Sequence, residues 1–493
     1  MVFSSTVFLF LFLPIVLLLY FNPIWKSRRF KNNVLLITSL VFYGWGEPVF
    51  IFMMMLSILI NWWLAIQVDK AAQSKKRSFV KIAVIWNLGL LFAFKYLTFV
   101  LENVAFLMNR DDMVLKITLP IGISFFTFQI LSYVLDVYYG NAKVQKKIRD
   151  VALYISMFPQ LIAGPIVRYS VVAEEINHRE ETKENFVAGF SRFIVGLAKK
   201  VLIANYLAIM VDNIFLLDER SIATAWLGVI GYALQIYFDF SGYSDMAIGL
   251  GLIFGFHFNE NFEYPYISKS VPEFWRRWHI SVSEWFRDYL FYPVMRSNWC
   301  QNLAKFSKKK FSKNTAKLIP TVVATMIVWV ATGVWHGANW TYVFWGVYYG
   351  VLIALSSIVK KPMKKINQRL HIDECKWFDV IRLVRTLFLV CIGYVVFRSD
   401  SMGYAWAYLG SMFGIGASSV VDEVFMNYMG SAKWMLLIAI VCSTPVVPWI
   451  KKYTKKHPVL QEITKLLGLV VLFAVSILSC IKSTYNPFIY FNF

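Results

Sequence analysis

Charged residues are scarce in this sequence. Only 16% of its 493 residues are Asp, Glu, Lys or Arg, while 58% are hydrophobic. A soluble domain typically carries about 25% charged and about 45–50% apolar residues. This balance excludes an ordinary soluble globular protein, because so much apolar surface needs an apolar solvent. The sequence therefore predicts an all-α integral membrane protein that crosses the bilayer several times.

Cysteine is also rare, and long polar linkers and internal repeats are lacking. The five Cys residues include no CxxC pair, so neither a disulfide framework nor a metal site is expected. The longest polar stretch of the first half runs from Glu174 to Glu184, which is too short to fold alone. We expect a single membrane domain over residues 1–493, with a catalytic core at about 115–350 and C-terminal helices at 375–493.

Long apolar runs fill most of the chain and predict about 11 to 13 transmembrane or re-entrant helices. The first run, at about 5–21, lacks the basic start and the small-residue cleavage site of a signal peptide, so we expect it to be retained. The segment 151–168 is apolar but contains Pro159, Gly164 and Pro165, which predicts a broken or re-entrant helix.

The net charge of +21 does not indicate nucleic-acid binding, because the basic residues form short clusters between apolar runs. Such clusters are typical of cytoplasmic loops. If all six are cytoplasmic, each interval with clear runs holds an even number of crossings, and the N-terminus lies outside. The stretch 150–304 leaves the parity ambiguous. The clusters begin at Lys26, Lys70, Lys143, Lys305, Lys360 and Lys451.

Two histidines lie in unusual surroundings, and ionisable residues within membrane proteins mark function by default. His336 ends a long apolar run and is followed by Gly337. A desolvated, neutral imidazole suits a general base near neutral pH; the alternative is a buried His that hydrogen-bonds a helix neighbour. His279 lies among aromatic and Arg residues at helical spacing in 263–289, which predicts an amphipathic helix at the interface or in a wet cavity.

Two carboxylates, Asp239 and Asp245, interrupt a run of more than thirty mostly apolar residues. Asp239 either orients a catalytic imidazole or pairs with an Arg of 276–287. Structural pairing with Arg or backbone donors is the slightly favoured interpretation.

Six segments, in order, resemble the membrane-bound O-acyltransferase (MBOAT) family, in its bacterial AlgI-like polysaccharide O-acetyltransferase branch. The resemblance covers nearly the whole length and implies a helical bundle around a central tunnel. The segments are Pro120–Gln129, Phe158–Pro165, Tyr237–Asp245, Phe274–Ser281, Gly333–Gly337 and Tyr485–Phe493.

The resemblance also implies the residues of the active site, for which no metal is expected. His336 is then the essential residue, and His279 a second catalytic residue that stabilises an oxyanion or binds substrate. Around them we predict residues that exclude water, bind substrate or orient a histidine. These are Asp239, Trp335, Asn339, Arg276, Arg277, Trp278 and Tyr237.

Finally, the resemblance implies partners rather than a permanently bound cofactor. The donor is an acyl thioester, acetyl-CoA or an acyl carrier protein, on the cytoplasmic side, and the acceptor is an extracytoplasmic glycan. An SGNH or esterase-like periplasmic or surface partner, membrane lipids and a place in the bacterial inner membrane are also expected. The alternatives are a D-alanyl transferase of the DltB type and a flippase for a lipid-linked glycan.

Overall fold

The computed structural model describes residues 1–110, 114–372, 375–454, 457–482 and 489. Within these ranges the chain is helical, with no strand and one isolated antiparallel bridge between Phe262 and Trp278. The all-α prediction is therefore confirmed. The predicted motif Tyr485–Phe493 lies outside the described residues except for Ile489.

The helices are numbered here in chain order. They are α1 (Phe8–Tyr20), α2 (Arg28–Gly46), α3 (Phe50–Lys70), α4 (Gln73–Met108), α5 (Ile123–Tyr139), α6 (Ile148–Ser156), α7 (Phe158–Leu161), α8 (Tyr169–Val172), α9 (Lys183–Phe215), α10 (Ile222–Ile253), α11 (Val271–Arg277), α12 (Ile280–Phe286), α13 (Tyr292–Arg296), α14 (Asn298–Lys310), α15 (Lys313–His336), α16 (Trp340–Arg369), α17 (Lys376–Arg398), α18 (Met402–Met412), α19 (Glu423–Cys442), α20 (Val446–Thr454) and α21 (Pro458–Lys482).

Eight helices of the described chain are long and apolar enough to cross a membrane, namely α3, α4, α9, α15, α16, α17, α19 and α21. The protein is thus a multi-pass membrane protein. The predicted total of 11 to 13 also counted α1, α2, α5 and α10, which are shorter or less uniformly apolar, and that total stays a prediction.

Contacts divide the chain into two compact units. The first comprises Met1–Leu202, Asp239–Glu260 and Glu462–Asn492, and the second comprises Ile203–Phe238 and Asn261–Gln461. The predicted single domain, with its core at about 115–350, stays a prediction.

In the first unit, α9 and the second half of α10 pack closely through glycines. A Cβ on Gly189 would lie 2.5 Å from the Gly249 carbonyl oxygen, and one on Gly196 would lie 2.5 Å from that of Gly242. Only residues without a side chain allow the two backbones to approach so closely.

The segment 151–168 is broken, as predicted. Helix α6 ends at Ser156 and α7 begins at Phe158, whose backbone N–H donates to the Ser39 hydroxyl at 3.0 Å. The Ser39 hydroxyl thus accepts from one of the N–H groups at the start of α7 that have no partner within the helix.

In the second unit, α15 and α16 form an antiparallel hairpin joined at 337–339. Backbones approach closely here too, because a Cβ on Gly333 would meet the Tyr342 carbonyl and one on Gly346 the Trp329 carbonyl. Asn339 caps α16, since its side-chain oxygen accepts from the Thr341 N–H at 3.0 Å. This hairpin places His336 at the last position of α15.

Candidate active site

His336 is 7% exposed and is surrounded by aromatic rings from three helices. Ring centroids lie 4.9 Å away in Trp335 of α15, 5.0 Å away in Trp345 of α16 and 5.1 Å away in Phe397 of α17. These rings shield the imidazole from water. A site that excludes water in this way also keeps water from competing with an acceptor hydroxyl for an activated acyl group.

His279 joins two short helices where the sequence predicted one amphipathic helix. Helix α11 ends at Arg277 and α12 starts at Ile280, and His279 adopts the left-handed conformation with φ of 46°. The break has a physical cause in the strand-like pairing beside it. The Ile280 N–H donates to the Asn261 carbonyl at 3.0 Å, and the Glu263 N–H donates to the Arg277 carbonyl at 2.9 Å.

The side chain of Asn261 holds the His279 ring. Its Oδ1 lies 3.1 Å from His279 Nδ1, and it accepts from the Ser281 N–H at 3.2 Å and from the Ser281 hydroxyl at 2.9 Å. His279 is 3% exposed and Asn261 is 0% exposed. The His279 imidazole is therefore fixed by a buried polar group.

Trp335 links the two histidines. Its ring centroid lies 6.1 Å from that of His279 and 4.9 Å from that of His336. Burial lowers the pKa of His279 well below its ordinary range, and the neighbouring His336 lowers that pKa further. The structure thus brings together three of the predicted site residues: both imidazoles and the indole of Trp335, which lies near each of them.

Tyr237 and Trp278 also belong to the second unit, and they pack against each other with ring centroids 6.2 Å apart. Trp278 stacks on Phe274 at 5.6 Å and contacts Tyr394 at 5.9 Å. These two predicted residues thus form the aromatic packing that supports the backbone just before His279.

The two predicted arginines make different contacts. Arg277 pairs with Glu273 at 3.1 Å and donates to the Glu263 carbonyl at 3.1 Å, so it supports the turn before His279. Arg276 is exposed. Asn339, besides capping α16, donates to the Asp400 carbonyl at 2.8 Å and thereby fixes the loop that follows His336.

Asp239 lies in the first unit and has a lysine partner, where the sequence suggested an arginine or a histidine. Lys200 Nζ lies 2.5 Å from its Oδ1, and the two side chains are 2% and 3% exposed. The other carboxylate oxygen accepts from the Ile489 N–H at 2.9 Å. The Ile489 N–H is a backbone donor of the kind that the favoured interpretation named, whereas a lysine partner was not anticipated.

Sequence reasoning missed Asn261, Ser281, Trp345, Phe397 and Lys200. Asn261 precedes His279 by eighteen residues, and a local pattern gives no sign that a turn brings them together. Trp345 and Phe397 look like ordinary core residues until α16 and α17 pack beside α15. Among the described residues, no group of three or more His, Cys, Asp or Glu side chains is placed to hold a metal ion.

The fold and the site define the class of this molecule: it is a multi-pass helical membrane protein that buries a pair of imidazoles. Residues 145–372 match the family described as MBOAT, membrane-bound O-acyltransferase. The chain is 39% identical over 422 residues to a probable alginate O-acetylase AlgI of Pseudomonas syringae pv. tomato, covering 84% of this chain and 76% of that protein.

Two further relatives extend the match over the whole chain. A probable alginate O-acetylase AlgI of Pseudomonas putida is 36% identical over 518 residues, with 100% of both chains covered. A peptidoglycan O-acetyltransferase of Helicobacter pylori is 29% identical over 543 residues, with 100% of this chain and 98% of that protein covered. The chain belongs to the membrane-bound O-acyltransferase family, and it is an O-acyltransferase.

Proposed function

We propose that this protein moves an acetyl group from a cytoplasmic thioester to a hydroxyl of an extracytoplasmic polysaccharide. The C–S bond of the thioester breaks and a C–O ester bond forms. His336 takes the proton of the attacking hydroxyl and passes it to the departing thiolate, so the products are an ester and a free thiol. The donor is acetyl-CoA or an acetylated carrier protein, and the membrane is the bacterial inner membrane.

The observation that carries this proposal is the burial of His336 among Trp335, Trp345 and Phe397 at the end of a membrane-crossing helix. A thioester is already activated, so the enzyme must supply a base and keep water away from the acyl carbon. Aromatic rings around a neutral imidazole meet both needs.

The acetyl group and a negatively charged donor fit the surroundings. The packing around His336 is aromatic, which suits a small uncharged acyl group better than the charged aminoacyl group of a D-alanyl transferase. Helix α14, which precedes α15, carries four exposed lysines, and their positive charge suits a donor that carries phosphates. They are Lys305, Lys308, Lys309 and Lys310.

The relatives named above support a polysaccharide acceptor, since two are named as probable alginate O-acetylases and one as a peptidoglycan O-acetyltransferase. The group reaches the polysaccharide directly or through an SGNH or esterase-like partner outside the membrane. His279 has one of two roles in this scheme: it stabilises the oxyanion or it binds substrate.

The test measures base-labile acetyl groups on the surface polysaccharide of a deletion strain that carries wild-type or variant protein. We expect His336→Ala to lower acetylation by about 10²–10⁴-fold, the range for loss of a general base. His457→Ala, which changes an exposed histidine of the second unit, is the matched control and should retain acetylation. Membrane insertion is checked by immunoblot. Wild-type acetylation by inserted His336→Ala protein would overturn the proposal.

A flippase for a lipid-linked glycan would give a different result. Purified protein in proteoliposomes receives acetyl-CoA with a labelled acetyl group, or an acetylated carrier protein, together with alginate or peptidoglycan fragments. An acetyltransferase places the label as an ester on a hydroxyl of the fragment, of a small alcohol or of an added SGNH or esterase-like protein, whereas a flippase leaves the label on the donor.

A further inference from the structure

The contacts of Asn261 determine which nitrogen of His279 carries the proton. Oxygen and nitrogen of an asparagine amide are assigned from their hydrogen-bond partners. A backbone N–H can only donate, and the Ser281 N–H lies 3.2 Å from the Asn261 atom that faces it. That atom must therefore be the amide oxygen, which can only accept.

The same oxygen lies 3.1 Å from His279 Nδ1. Because an amide oxygen accepts, Nδ1 must be the donor and must carry a hydrogen. A neutral imidazole has only one N–H, so its Nε2 then holds a lone pair and accepts hydrogen bonds. The two roles left open for His279 are thus not equivalent: a neutral ring of this tautomer offers no Nε2–H to an oxyanion.

The backbone supports this arrangement. His279 is a non-glycine residue with φ of 46°, a conformation that persists where the surroundings impose it and that clusters at functional sites. Here the Asn261 carbonyl accepts from Ile280 at 3.0 Å while the Asn261 side chain holds the ring. One buried residue therefore fixes both the backbone and the side chain of His279.

We propose that Asn261 is a positioning residue that holds neutral His279 with its proton on Nδ1, so that His279 Nε2 accepts a hydrogen bond from a second hydroxyl of the acceptor while the attacking hydroxyl gives its proton to His336. The inference rests on the function proposed above and assigns His279 to the acceptor rather than to the oxyanion. His336, whose ring centroid lies 4.9 Å from that of Trp335, is the titratable neighbour that acts on His279.

A direct test reads the tautomer by ¹⁵N NMR of histidine-labelled protein in lipid bilayers. The chain has only 6 His, so the signals of His279 are identified by comparison with His279→Gln. We expect a protonated Nδ1 and an unprotonated Nε2 in the wild type. In Asn261→Leu, which has no acceptor oxygen, that single pattern should be lost. A proton on Nε2 in the wild type would overturn the proposal.

A second test uses the pH dependence of kcat in proteoliposomes. Asn261→Asp keeps an acceptor oxygen and adds a negative charge beside the imidazole, which favours its protonated form. The acid limb of the profile should therefore move to higher pH by about 1 unit or more. Asn261→Leu should lower kcat by about 10–100-fold and leave KM for the donor nearly unchanged, because the proposal assigns Asn261 and His279 to the acceptor.

Asn32 supplies the matched control. It is 2% exposed and donates to the Ile176 carbonyl at 2.8 Å within the first unit. Asn32→Asp should leave the position of the acid limb unchanged even where it lowers stability. The assays require wild-type transfer that His336→Ala abolishes, so the failure of the proposed function is recognised separately. With that requirement met, an acid limb of the kcat profile that stays at the wild-type pH in folded Asn261→Asp protein would overturn the positioning role of Asn261 alone.

Discussion

At the scale of single residues, burial decides the protonation of the active site. His279 is 3% exposed and lies outside the eight membrane-crossing helices. Burial removes water from the imidazole, and this destabilises the charged form of His279 more than the neutral form. The pKa of His279 accordingly lies well below its ordinary range, with a further decrease from His336.

This lowered pKa predicts the pH dependence of the wild-type enzyme. If His279 must be neutral, kcat should persist as the pH falls past 6.5, the ordinary imidazole pKa, and should decline only at lower pH. The measurement is kcat between about pH 4.5 and pH 9 in proteoliposomes. An acid limb centred at or above 6.5 would contradict the prediction. Asn32→Asp, measured in parallel, should follow the wild-type curve.

The candidate site could be predicted only in part at this scale. His336 and His279 are conspicuous in the sequence, because ionisable side chains are rare within apolar runs. Asn261 is not, since its contact with His279 depends on a turn that brings distant backbone segments together. The lysine partner of Asp239 was missed for a related reason: the pairing depends on the rotation of α9 against α10, which apolar composition does not encode.

At the scale of helices, apolar length predicts the elements well and their breaks less well. Two long apolar runs of the sequence, residues 79–108 and 318–335, fall within α4 (Gln73–Met108) and α15 (Lys313–His336). The helical spacing of 263–289 was misleading, because pairing with Asn261 and Glu263 interrupts the helix at His279. Tertiary hydrogen bonds outweighed local pattern there.

The close packing of α9 on α10 predicts an intolerance of even one methyl group. Gly196→Ala places a Cβ against the Gly242 carbonyl, and such overpacking typically costs about 1–3 kcal/mol. The thermal unfolding midpoint in detergent should fall. Gly468→Ala in α21 is the matched control, because no atom lies within 4 Å of its Cβ position. Equal midpoints for the two variants would contradict this account.

At the scale of the whole molecule, one carboxylate connects distant parts of the first unit. Glu181 accepts from Arg28, from the Tyr20 hydroxyl at 2.5 Å and from Lys31 at 2.9 Å. Burial by itself would raise the pKa of Glu181, and the hydrogen bonds from Arg28, Tyr20 and Lys31 outweigh it and hold the pKa at about 2. Folding therefore stabilises the ionised form of the Glu181 carboxylate relative to its protonated form.

Stability should follow the titration of Glu181. A carboxyl whose pKa is depressed on folding stabilises the fold above its unfolded pKa of 4.5, and this contribution is lost as the pH falls towards 2. Glu181→Gln should lower the unfolding midpoint near pH 7 and should weaken the decline between about pH 5 and pH 3. Denaturant unfolding in detergent at several pH values measures both effects. An unchanged pH slope in Glu181→Gln would contradict the assignment.

The left-handed backbone at position 279 restricts what protein engineering can place there. Besides histidine, the residues that most readily accept such a backbone are glycine, asparagine and aspartate, whereas branched side chains are strained. A His279→Gly chain would keep its natural turn and leave a ring-sized space beside Trp335. Small azoles added to the buffer are of a size to occupy that space, which opens a route to chemical rescue and to bases of chosen acidity.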